Sequence, residues 1–206
     1  MGYSAYSVLR GNKAREVLQT ARITYFRSGV LPWLVAPVLI GFTITLAYGL
    51  QKVAPAFMKV GWIALLSSDD KSTNIGFSAL TSLHGSDGPL VLLLGGLVVM
   101  LILVLLPTYA ETEERIFRRH ATSAKSIAIR SLAFGLLHMV MGISLCVALA
   151  LSFTGVIYAL FYNLLWRPNT DPFWEREPYA FQRVTALHSI YNALLILGLG
   201  VLILLT

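Results

Sequence analysis

Charge is scarce in this chain and cysteine scarcer. Only 13% of the 206 residues are Asp, Glu, Lys or Arg, where soluble domains run nearer a quarter. That deficit excludes an ordinary soluble surface. So do a hydrophobic content of 56% and a mean hydropathy of +0.71. The one cysteine, Cys146, lies in an apolar run and excludes a disulfide within the chain. Residues 1–28 carry Arg10, Lys13, Arg15, Arg22 and Arg27. They hold no apolar core before a small-residue cleavage site, so they are not read as a signal peptide. Internal repeats, low-complexity tracts and an HExxH helix are also missing. The net charge of +6 does not point to nucleic acid, because the basic residues flank apolar runs, where positive-inside bias accounts for them.

What is present is long apolar sequence, and the partner it implies is the lipid bilayer. A span needs about 20 apolar residues, so the length suits one all-α integral membrane bundle of roughly five to seven transmembrane helices. Residues 1–28 are expected to form a cytoplasmic or interfacial segment, with an amphipathic helix over 5–27. Residues 29–206 form the transmembrane domain. Its first span is expected at about 29–50, kinked by Pro32 and Pro37. Residues 51–88 read as an interfacial helix with exposed loops, and the second span as 89–107. From Ser131 to Trp166 no Asp, Glu, Lys or Arg occurs. As one helix that stretch would reach about 54 Å, against a hydrocarbon core of about 30 Å. Two helices turning near "MVMGIS" are therefore expected, and a last span at about 184–205. The basic residues place the N-terminus and loops at 108–130 and 166–183 in the cytoplasm, with Thr206 outside.

Ionisable groups inside spans are costly and are functional candidates. His138 lies in "FGLLH", and His188 and Asn192 in "HSIYN". The i, i+4 spacing puts His188 and Asn192 on one helical face and Phe134 beside His138. In "ETEERIFRRH", Glu113 and Glu114 precede Arg118, and Glu114 shares a face with it, a natural ion pair. His84 and His120 read as solvated loop residues. Interhelical hydrogen bonds account for each cluster singly. Together they offer a carboxylate and a histidine to deprotonate a water. A second histidine and an amide would donate to an oxyanion. Zinc is a rival centre, since a glutamate and two histidines make a reasonable ligand set.

"EERIFR", "FGLLH" and "HSIYN" resemble the EExxxR, FxxxH and HxxxN motifs of the CPBP family, the CAAX prenyl endopeptidases and their bacterial Abi relatives. The match covers about 107–195. The resemblance implies an intramembrane glutamic endopeptidase that needs no cofactor and cuts a peptide or lipidated protein. Glu113 would activate water with His138, and His188 and Asn192 would form the oxyanion site. Glu114, Arg118 and Phe134 would support them. It also implies a bacterial inner-membrane location. Two departures stand out: Arg119 replaces the glycine usual after the motif arginine, and "WRPNTDPFWEREPYAFQRVTAL" replaces the usual stretch before the third motif. The competing expectation is a non-catalytic immunity, chaperone or assembly subunit of a larger membrane complex. A transporter subunit with a polar relay is a third, though paired broken helices are not visible.

Overall fold

A computed structural model describes residues 11–55, 89–119, 121–166 and 173–205. The expectations for 51–88 beyond residue 55, and for His84 and His120, lie outside the described residues. Among the described residues there is no strand. The described residues hold six α-helices, in chain order α1 (Gly11–Arg22), α2 (Leu31–Val53), α3 (Pro89–Arg118), α4 (Ala124–Leu137), α5 (Leu145–Trp166) and α6 (Phe173–Leu205). Five helices carry stretches long and apolar enough to cross a membrane: Leu31–Val53, Gly95–Arg118, Ala124–Met141, Leu145–Leu165 and Tyr179–Val201. The protein is an all-α integral membrane bundle.

The expected boundaries shift in physically telling ways. The second span does not end at residue 107. Helix α3 runs on through Arg118, so Glu111 to Arg118 are helical and the expected 108–130 loop is shortened from both ends. Arg130 Nη1 closes the end of α3 by donating to the Ile116 and Arg119 carbonyls at 2.9 and 2.8 Å. It satisfies acceptors that a helix end leaves bare. Helix α4 then begins at Ala124, ahead of the expected Ser131, behind a capping box of Ser123 and Ser126. The turn near "MVMGIS" is found. A 3₁₀ stretch, His138–Met141, stops at Gly142, whose φ of 86° is a left-handed conformation that glycine adopts without penalty. The expected 166–183 loop is largely helical, since α6 starts at Phe173. In α2 only Pro37 is interior, and Pro32 sits in the first turn where its missing N–H costs nothing.

Helices α5 and α6 form the centre: 56% and 50% of their spans are buried, against 11–17% in the others. Helix α5 packs on α2, α4 and α6, and α6 packs on α2 and α3. At Gly135 any side chain would collide with Ser152 and the Ala148 carbonyl, so glycine is what lets α4 lie close on α5. Thr43 of α2 and Thr154 of α5 share a buried hydroxyl hydrogen bond of 2.7 Å. Arg183 of α6 donates to the Ser28 carbonyl. These contacts tie α4 and α2 to α5, and α6 to the segment before α2.

Candidate active site

The charges at the end of α3 split by helical face. Glu111 and Arg115 pair outward at 2.7 Å with exposed side chains. Glu114 and Arg118, one turn apart, face inward and are fully buried. The expected Glu114–Arg118 ion pair is present, Arg118 Nε lying 3.0 Å from Glu114 Oε2. The two atoms are close but not aligned as a hydrogen bond, and Arg118 Nη1 and Nη2 have no hydrogen-bond partner among the described residues. The guanidinium rests on aromatic faces instead, 4.6 Å from the Phe134 ring centre and 5.7 Å from that of Tyr158. Cation–π attraction strengthens when desolvated and offsets part of the burial cost.

His188 of α6 completes the cluster. Its Nδ1 lies 2.8 Å from Glu114 Oε1, and its Nε2 lies 3.6 Å from Glu113 Oε2. The imidazole stands between two consecutive carboxylates of another helix. Glu113 is one-third exposed, while His188 and Glu114 are sealed. One acid is thus committed to the interior and the other is open to a small molecule.

Phe134 joins the two histidines. Its ring centre is 4.7 Å from that of His138 and 5.5 Å from that of His188, both edge-on. Its carbonyl accepts from His138 Nδ1 at 2.7 Å. His138 is placed at the end of α4, where the 3₁₀ stretch begins, and not in the middle of a span. Helix α3 carries Glu113 inside its span, and His138 sits at the end of its own. Asn192 follows His188 by one turn and is partly exposed. The structure therefore brings Glu113, Glu114, Arg118, Phe134, His138 and His188 into one chain of contacts, with Asn192 one turn along α6.

Sequence reasoning missed Tyr158. It is fully buried on α5, its ring 5.1 Å from that of His188, its hydroxyl without a partner among the described residues. The available signal was a phenol inside an apolar run, which a membrane core tolerates only with a polar neighbour. Among the described residues no group of three or more His, Cys, Asp or Glu is arranged to hold a metal ion. Chemically the arrangement offers proton acceptors around a partly open carboxylate.

Comparison with protein-family models, with curated proteins and with solved structures finds no match.

Proposed function

We propose that the protein is a membrane-embedded endopeptidase of the CPBP type, in which a water activated by glutamate and histidine cleaves a peptide bond of a membrane-associated or lipidated substrate. The observation that carries this reading is the convergence of the three motif segments: Glu113 and Glu114 from α3 meet His188 from α6, and Phe134 from α4 packs against both His188 and His138. Burial of such groups inside a span is costly and is kept where they work. Lysines and arginines beside the spans favour a cytoplasmic N-terminus, and a bacterial inner membrane is the setting that the family resemblance suggests.

The test is cleavage of a panel of prenylated and unmodified membrane peptides by purified protein, wild type against Glu113→Gln. A general base contributes about 10²–10⁴-fold, so the variant is expected to lose at least about 100-fold with its fold intact. A chelator arm separates zinc chemistry, and activity that survives chelation favours the glutamate reading. A wild type that is folded, inserted and inert on every peptide sinks it.

One observation favours a second reading. Glu114 sits between Arg118 and His188 in a sealed cluster, as a purely structural clamp would. A non-catalytic immunity, chaperone or assembly subunit would keep that clamp, tolerate Glu113→Gln and co-purify with a larger membrane complex.

A further inference from the structure

The segment ahead of the first span has an outward face that neither the bundle nor the candidate active site uses. Residues 11–27 stand just before that span, which begins at Leu31. Their inward stripe, Ala21 and Thr24, continues to Ser28 and is buried, and α1 packs on α3. Hydrogen bonds hold the segment down. The Tyr25 hydroxyl donates to the Leu103 carbonyl at 2.9 Å. Trp33 Nε1 donates to the Tyr25 carbonyl at 3.2 Å, and Arg183 donates to the Ser28 carbonyl. Gly29, whose φ of 79° suits glycine, makes the turn into α2. The direction in which the opposite face points is therefore fixed.

That face carries Arg15, Leu18, Arg22 and Phe26. Steps of three and four residues bring them to one side of a helix. All four are exposed, Leu18 at 57% and Phe26 at 83%, and Arg27 is exposed beside them. Among the described residues Arg15, Arg22 and Arg27 form no ion pair. The one acid within 11–27, Glu16, lies about a third of a turn off the face. A topology signal needs only positive charge. Here large apolar side chains alternate with guanidinium groups on one face at the mouth of a span, which is the pattern of a helix lying in the membrane interface. The apolar side chains reach the acyl chains while the arginines extend to the headgroups.

We propose that this face binds anionic phospholipid, with the lipid phosphate against Arg22 and Arg27 and an acyl chain along Leu18 and Phe26. A guanidinium presents paired N–H donors that match two oxygens of one phosphate. In a zwitterionic lipid the headgroup's own cation competes for that phosphate and repels the arginines. An anionic headgroup has no such cation, so the charge of the face selects it. Each basic residue beside an anionic surface is worth about fivefold in binding. The site stands apart from the cluster around His188 and does not depend on what that cluster does. It adds a lipid contact to the segment whose Tyr25 is bonded to α3.

Trp33 is the reporter, since its indole is bonded to the backbone of Tyr25, between Arg22 and Arg27. The test uses the full chain carrying Trp62→Phe, Trp166→Phe and Trp174→Phe, which leaves Trp33 as the one tryptophan. It is placed in phosphatidylcholine vesicles that contain a small fraction of brominated lipid, whose bromines quench an indole in contact with them. At equal fractions, brominated phosphatidylglycerol is expected to occupy the site at least about fivefold more strongly than brominated phosphatidylcholine. Arg22→Gln with Arg27→Gln in the same chain is expected to abolish that preference. Equal quenching by the two lipids overturns the proposal, and so does a preference that survives the double variant. If the tryptophan replacements prevent insertion, native mass spectrometry of the otherwise unaltered chain, released from nanodiscs that hold both lipids in equal amounts, reads the same preference. Retained phosphatidylglycerol that the double variant loses is the expected result, and retention that is absent or unchanged by the double variant overturns it.

Discussion

Helix α3 has two halves that obey opposite rules. In its first half the most apolar residues face outward: Leu97, Val98, Met100 and Leu101 are 56–61% exposed. In its second half the charged Glu114 and Arg118 are fully buried, beside Ala110 and Phe117. A soluble helix would reverse this. Lipid solvates leucine as well as a protein core does, so nothing drives it inward. Lipid solvates a carboxylate or a guanidinium badly, so these residues turn towards each other and towards α6. Burial along α3 follows the need for polar partners.

Between the halves stands Pro107. It has no N–H and leaves the carbonyl four residues earlier, on Leu103, without its helical donor. The Tyr25 hydroxyl donates to that carbonyl at 2.9 Å. The junction is thus stitched by the π-helical segment Ile23–Arg27 that follows α1. The N-terminal segment, expected only to lie on the surface, also supplies a hydrogen bond that a kinked membrane helix requires.

The largest effect is expected where the buried pair is broken from one side. Arg118→Leu leaves Glu114 fully buried with no counterion, at a cost of about 3–5 kcal/mol. Unfolding in bicelles measures it. Adding Glu114→Gln to the same chain removes the orphaned charge and should restore most of the loss, since a buried pair replaced as a whole is often neutral. A single variant that costs under about 1 kcal/mol would mean that the inner half of α3 is wetter than its burial indicates.

How much of this was readable beforehand depends on range. Spacings of four residues carried real information: Glu114 with Arg118 and Phe134 with His138 are both found in contact. The turn between α4 and α5 followed from a length that one helix cannot fill. The end of α3 was misjudged because charge was read as exit from the membrane, while inward-facing charge is compatible with a continuing span. The start of α6 was misjudged similarly, since the charges at 166–183 were also read as a cytoplasmic loop while α6 begins at Phe173. The contact of His188 with Glu114 joins residues 74 positions apart, and the contact of Tyr25 with Leu103 joins residues 78 apart. No local pattern encodes either, because both depend on how whole helices are laid side by side.

The junction between the halves gives the intermediate effect. Tyr25→Phe keeps the ring and leaves the Leu103 carbonyl without a donor, which costs about 1–2 kcal/mol. Burial pushes the Tyr25 phenol up to about 12 from an ordinary 10.0. The folded state therefore favours the neutral form. The wild-type advantage should hold steady below pH 10, where the phenol is neutral folded and unfolded alike. It should shrink between pH 10 and 12, as ionisation of the unfolded chain draws the equilibrium away from the fold. An advantage that stays flat through pH 12 would separate Tyr25 from the junction.

The smallest effect belongs to the outer half. Leu97→Ala deletes most of a large apolar side chain, and in a soluble core that change costs about 2–5 kcal/mol. Here the side chain is 57% exposed on the outward face of α3, where lipid is the expected neighbour. It meets lipid just as well when the helix is inserted but detached from the bundle, which is the reference state for unfolding within a membrane. The transfer term then cancels, no cavity forms, and the expected change is within about 0.5 kcal/mol. Measured beside Arg118→Leu in the same bicelles, the pair gives a ratio that a soluble helix would invert. A loss of 2 kcal/mol or more at Leu97 would mean that this face packs against protein in the membrane, and the contrast between the two halves would then need another explanation.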